Sequence, residues 1–145
     1  GYGVVVVDRT LIRAVECGCI RTKPGATLAE RVEQIFKDAE SVIAEYKPDE
    51  IVVENAFYSK NVRSTLVLGH VRGVLLLAGR RSGAHVVELS PKEIKRFVTG
   101  NGAASKQSVK YMVAHILKLK DPPKSDDASD ALAGALAHAL CITRG

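Results

Sequence analysis

Several signals are missing from this 145-residue sequence, and each absence narrows the field. There is no second cysteine pair. Cys17-x-Cys19 and the distant Cys141 lack zinc-finger spacing, and an odd number of thiols fits reduced cysteines in a cytoplasmic protein better than a disulfide framework. There is no signal peptide. The longest mostly apolar tract, Ala131 to Ile142, is too short to span a bilayer and contains His138, so no membrane partner is expected. Repeats, low-complexity segments and linkers are also lacking, so residues 1–145 are expected to form a single domain. An initiator Met is absent as well. Gly1 leads straight into YGVVVV, which reads as a strand already under way, so an N-terminal piece is expected upstream.

What is present is an ordinary globular composition, 46% apolar and 26% charged, long enough to bury a real core. The net charge of +5 and a pI near 9.2 favour an anionic partner, nucleic acid first.

Tyr2 to Val7 and Leu11 to Cys19 read as two strands of a hairpin turning at Asp8-Arg9. Thr27 with Glu30 forms a capping-box signature, followed by apolar residues at helical spacing to Tyr46, and Pro48 stops that helix. Glu50 to Ala56 is a short strand. A helix spans Asn61 to about Arg80, with Gly69-x-x-x-Gly73 in its middle, and Ala84 to Leu89 is another strand. Ser90-Pro91-x-Glu93 starts a further helix, and Thr99 to Ala104 is a glycine-containing loop. Ser105 caps a helix to about Lys118, Asp121-Pro122-Pro123 breaks it, and Asp126 to Cys141 is an Ala-rich final helix. Late strands joined by helical crossovers predict an α/β fold with a mixed sheet.

Three carboxylates stand out. Glu54 ends a strand that feeds a helix, which is where open α/β sheets place their sites. A carboxylate leaving the sheet edge into solvent would look the same. Asp127 and Asp130 share one helix face. Asp126 and Asp127 also complement a helix N-terminus, but Asp130 lies deeper than that account reaches. Two carboxylates about 4 Å apart repel by several kcal/mol at an effective dielectric near 20, so a site gathering them needs cations. Oxygen-only ligands point to magnesium, with manganese as a substitute, and such ions activate water in phosphodiester hydrolysis. Asp8 is read as a turn residue, and His70, His85, His115 and His138 as structural.

GYGVV at the start, GCIRTK at 18–23, VENAFYSKN at 53–61, LGHVRGV at 68–74 and SDDASDALAGALAH at 125–138 together resemble the RuvC-type Holliday-junction endonucleases. The resemblance implies a ribonuclease H-like fold, a mixed sheet flanked by helices. It also implies a homodimer, and magnesium-dependent paired nicking of four-way DNA junctions in recombination and repair. A branch-migration helicase complex is a further implied partner. On the same basis Glu54, Asp127 and Asp130 are the expected catalytic and metal-binding residues, for two ions per site, with Asp126 as an extra neighbour. Phe57, Lys60, Lys95 and Lys106 are the expected DNA contacts: the aromatic stacks near the junction centre, and Lys95 and Lys106 reach the scissile phosphate region. Tyr58 could stack on bases or pack the strand-to-helix corner. Lys60, Arg63, Arg72, Lys92, Arg96 and Lys110 offer further phosphate contacts. The helix around Leu66 to Leu77 is the expected dimer helix. Its two glycines fit a close helix–helix contact or, equally, packing on the sheet. The family also has a first strand, ending in a metal-bridging Asp, ahead of GYGV; it is expected upstream of Gly1. Two other readings remain open: a nuclease of the same fold acting on other nucleic acid, and a non-catalytic junction-binding dimer.

Overall fold

A computed structural model describes residues 1–55 and 61–144. Among the described residues four strands and five helices follow one another. β1 (Tyr2–Asp8) and β2 (Leu11–Gly18) come first, then α1 (Leu28–Tyr46), β3 (Glu50–Glu54) and α2 (Val62–Arg81). β4 (His85–Leu89), α3 (Pro91–Thr99), α4 (Lys106–Ile116) and α5 (Asp126–Arg144) complete the chain. The architecture is the expected α/β class. The strands pair two by two, β1 with β2 and β3 with β4. Residues 1–19 and 89–145 form one compact unit and residues 20–88 another.

In the first unit β1 and β2 form the predicted antiparallel hairpin. Asp8 still pairs with Leu11, so the turn itself is Arg9-Thr10, with Arg9 at φ 55°. A bulge falls between Val4 and Val5. The hairpin packs on α5, which is the heart of this unit: Leu132 is 1% exposed and Leu136 and Ala137 are fully buried. Gly3 on β1 lets the strand come close to α5. A Cβ added at Gly3 would sit 2.6 Å from the Leu132 Cα. α3 joins through Ile94 and Val98, and α4 through Val109 and Val113.

The predicted start of α3 is complete. The Ser90 Oγ accepts from the Glu93 N–H at 3.2 Å, and the Glu93 carboxylate accepts from the Ser90 N–H at 2.8 Å. The Ser90 hydroxyl also donates to the Glu93 carboxylate at 2.6 Å, and that bond first, then the one from the Ser90 N–H, holds the Glu93 carboxyl below its usual range. α3 ends on Gly100 at φ 81°, where only glycine is unstrained.

In the second unit α1 begins with the predicted Thr27–Glu30 capping box and ends on Lys47, directly before Pro48. Its apolar face packs against α2. β3 and β4 are connected through α2, and their starts meet: the His85 N–H donates to the Asp49 carbonyl at 3.0 Å, the pattern of strands running the same way. The glycine that seats α2 on this pair is Gly79, whose added Cβ would lie 2.9 Å from Val86 and 3.4 Å from Ile51. Among the described residues nothing lies within 4 Å of such an atom at Gly69 or Gly73, so neither packs on the described strands.

The apolar tract singled out near the C-terminus is the buried middle of α5. The exposed apolar helix is α2, which by length and composition alone is long enough to cross a membrane. Val62, Leu66 and Leu77 are 76%, 62% and 53% exposed. With the two open glycines they form one stripe along α2.

Candidate active site

Asp126, Asp127 and Asp130 occupy the exposed first turns of α5, while its following turns are buried. Ser125 starts the helix: its Oγ accepts from the Ala128 N–H at 3.2 Å and its carbonyl from the Ser129 N–H at 3.1 Å. The Ser125 hydroxyl also lies 2.9 Å from the Cys19 Sγ, so the end of β2 is tied to the start of the acidic helix. Neither Ser125 nor this role for Cys19 was read from the sequence. A Ser directly before two Asp residues is a capping signal, but its thiol partner is 106 positions away.

α4 lays two lysines along the acidic turn. The Lys106 Nζ lies 2.9 Å from the Asp130 Oδ2 and 3.5 Å from the Asp126 Oδ2. Lys110 donates to the other oxygen of Asp126, Oδ1. The Asp130 hydrogen bond raises the Lys106 pKa above the usual lysine range. Lys110's hydrogen bond, then the charge of Lys106, hold the Asp126 carboxyl below the usual range. Asp127 is in no ion pair among the described residues.

Lys95 sits half-buried on α3, its carbonyl accepting from the Thr99 hydroxyl at 2.8 Å. In the other unit Glu54 is the exposed last residue of β3, as the sequence suggested. The next residue, Asn55, buries its side-chain oxygen without a hydrogen-bond partner among the described residues. Phe57, Tyr58 and Lys60 lie outside the described residues. Arg72, offered as a phosphate contact, is already paired with Glu88. His115 stacks on Tyr111 with ring centroids 6.1 Å apart, and His85 lies 3.9 Å from Glu50.

Among the described residues no three His, Cys, Asp or Glu side chains gather into a metal-holding group. The donor chemistry on α5 nonetheless fits a hard cation. Its carboxylates supply oxygen only, and two of them, Asp126 and Asp130, already hold the positive charge of Lys106.

The family model for Crossover junction endodeoxyribonuclease RuvC matches residues 1–138. The chain belongs to the RuvC family. A Pelotomaculum thermopropionicum protein called Crossover junction endodeoxyribonuclease RuvC is 43% identical over 139 residues, 96% of this chain and 85% of that one. A Heliobacterium modesticaldum protein of the same name is 41% identical over 145 residues, 100% of this chain and 90% of its own length. Among solved structures, Thermus thermophilus RuvC in complex with Holliday junction substrate has a TM-score of 0.90 at 31% identity, covering 99% of this chain and 87% of that one. The ribonuclease H-like α/β class implied by the resemblance is therefore the fold of this RuvC-family chain.

Proposed function

We propose that this chain is a crossover junction endodeoxyribonuclease: it resolves four-way DNA junctions by paired symmetric nicks in recombination and repair, as a single nuclease domain acting in the cytoplasm. The observation that carries the reading is family membership over residues 1–138, joined to an acidic helix turn bordered by lysines. In this reading Asp127 and Asp130, with Glu54, hold magnesium, two ions per site, with manganese able to replace it. Divalent ions there would polarise the phosphodiester and help generate the attacking hydroxide. The protein's own groups do the rest. Lys106, and Lys95 on the neighbouring α3, meet the scissile phosphate region, while Phe57 and Lys60 engage the open junction. A branch-migration helicase complex would supply and move the junction.

The test is nicking of an end-labelled four-way junction by the full natural protein, with a linear duplex of matched sequence as control. Two cuts at symmetric positions in the junction alone, present with magnesium and absent with EDTA, are expected. Junction binding that never leads to cutting would favour the non-catalytic dimer. Cutting of RNA or of the duplex instead would favour another nuclease of this fold.

The exposed stripe on α2 supports a homodimer. A single apolar helix face with two open glycines suits a second copy of itself, since glycine lets two backbones approach and an isologous contact matches like with like. An exposed patch of this kind on one chain is otherwise an aggregation hazard. Leu66→Glu combined with Leu77→Glu is expected to shift the protein from dimer to monomer in analytical ultracentrifugation at micromolar concentration and to abolish paired nicking. An unchanged dimer would move the interface elsewhere.

A further inference from the structure

We propose that Asp126 is a positioning residue, the second acceptor that keeps the Lys106 ammonium beside the site when a divalent ion takes Asp130. This rests on the reading of Asp127 and Asp130 as metal ligands.

The three acidic residues of the turn are not in equivalent surroundings. Asp126 is paired with two ammonium groups, Lys110 on Oδ1 and Lys106 on Oδ2. Asp130 is paired with one, and Asp127 with none among the described residues. A carboxylate already neutralised twice is a poor ligand for another cation, so Asp126 is the least suited of the three to hold a metal. Lys110 instead fixes its orientation, leaving Oδ2 turned to Lys106.

Lys106 bridges the two ends of one helical turn. Asp126 and Asp130 are four residues apart on α5 and therefore stacked on the same face, and the Nζ lies 2.9 Å from one and 3.5 Å from the other. An ion binding Asp130 displaces this ammonium. Without Asp126 the long, flexible side chain would lose its only carboxylate and swing into solvent. With Asp126 it needs a shift smaller than a hydrogen-bond length. The lysine then stays at the edge of the site, where a phosphate entering with the DNA would meet it. Asp126 thus lowers the cost of displacing Lys106 and keeps it ready for the phosphate.

The test is manganese binding to the DNA-free protein by calorimetry, for the natural protein, Lys106→Met, Asp126→Asn and the double variant. An exposed ion pair shifts a competing equilibrium by a factor of a few. Lys106→Met is expected to tighten manganese binding about fivefold, because the competing cation is gone. Asp126→Asn is expected to weaken it by about the same factor, because Lys106 then rests on Asp130 alone. Each of these single results would also follow from a change of charge nearby, so the double variant decides. If Asp126 acts through Lys106, then in the Lys106→Met background Asp126→Asn changes affinity by less than about twofold. Effects that simply multiply would overturn the proposal and make Asp126 a direct contributor to the ion's field.

A second readout is kinetic. At saturating magnesium Asp126→Asn should raise the junction KM several-fold with kcat within about twofold, and Asp126→Glu should restore it. A fall in kcat with KM unchanged would overturn the positioning role. Asp130→Asn serves as the reference. If it retains manganese binding, the metal reading itself falls and this one with it. If it loses binding while the double-variant effects multiply, only the role of Asp126 falls.

Discussion

Asp127→Asn and Asp130→Asn are each expected to slow junction nicking by about a thousandfold or more while leaving junction affinity within a factor of a few. Lewis-acid stabilisation by a divalent ion contributes several kcal/mol to a phosphodiester transition state, and each ~1.4 kcal/mol is tenfold in rate. An amide in place of a carboxylate keeps the shape and removes the charge that holds the ion. Affinity should survive because lysines, not carboxylates, attract the phosphate backbone, and removing a negative charge does not oppose DNA. Both positions are exposed at the start of α5, ahead of the turns that form the core. The melting temperature should therefore stay within a few degrees, which separates loss of chemistry from loss of fold. Glu54→Gln is expected to behave in the same way if that residue completes the set. Single-turnover nicking with saturating junction, beside a gel-shift titration in calcium, makes the measurement. Wild-type nicking by Asp127→Asn or by Asp130→Asn would remove that residue from the site.

The parts of this molecule legible in its sequence are those whose physics is local. Both capping boxes, at Thr27 and Ser90, formed as expected, because the serine or threonine and the glutamate that answers it are three residues apart. The Asp127–Asp130 spacing lay on one helix and needed only the helical period. What could not be read were pairings across the chain. Lys106 meets Asp130 at a separation of 24 residues, and Lys110 meets Asp126 at 16. Arg72 meets Glu88 at 16, so a residue offered to DNA is spoken for by a carboxylate. Helix glycines show the same limit. The sequence singled out Gly69 and Gly73 by their spacing, but the glycine pressed on the strands is Gly79, and only the fold distinguishes an open glycine from a crowded one. Function became legible for a different reason: five short motifs in order along the chain are specific together, though none is specific alone.

Gly3 in the opening GYG motif has no room for a side chain, and Gly3→Val is expected to lower the melting temperature by on the order of 10 °C. A Cβ there would stand 2.6 Å from the Leu132 Cα and 2.7 Å from its nitrogen. Both are helix backbone atoms, so no side chain can rotate out of the way. Either β1 or α5 must shift by about an ångström. Leu132 and Leu136 are 1% and 0% exposed, so any shift loosens the best-packed part of the unit. Overpacking of side chains alone costs ~1–3 kcal/mol, and ~1 kcal/mol lowers the midpoint of a chain this size by roughly 2–4 °C. Contact with backbone places Gly3→Val at or beyond the upper end of that range. Gly134→Ala on the same helix is the control. Its Cβ would meet only the Ile94 Cδ1, at 3.8 Å, an ordinary contact, and alanine favours a helix over glycine by ~1 kcal/mol. That variant should melt at or above the natural protein in a circular-dichroism scan. The same displacement that destabilises Gly3→Val would move Asp127 and Asp130, since they precede Leu132 by five and two residues on a continuous helix. Nicking by Gly3→Ala, the milder change, should therefore fall at temperatures well below its own melting point. If Gly3→Ala nicks normally wherever it is folded, the strand holds α5 in place without setting the geometry of its acidic turn.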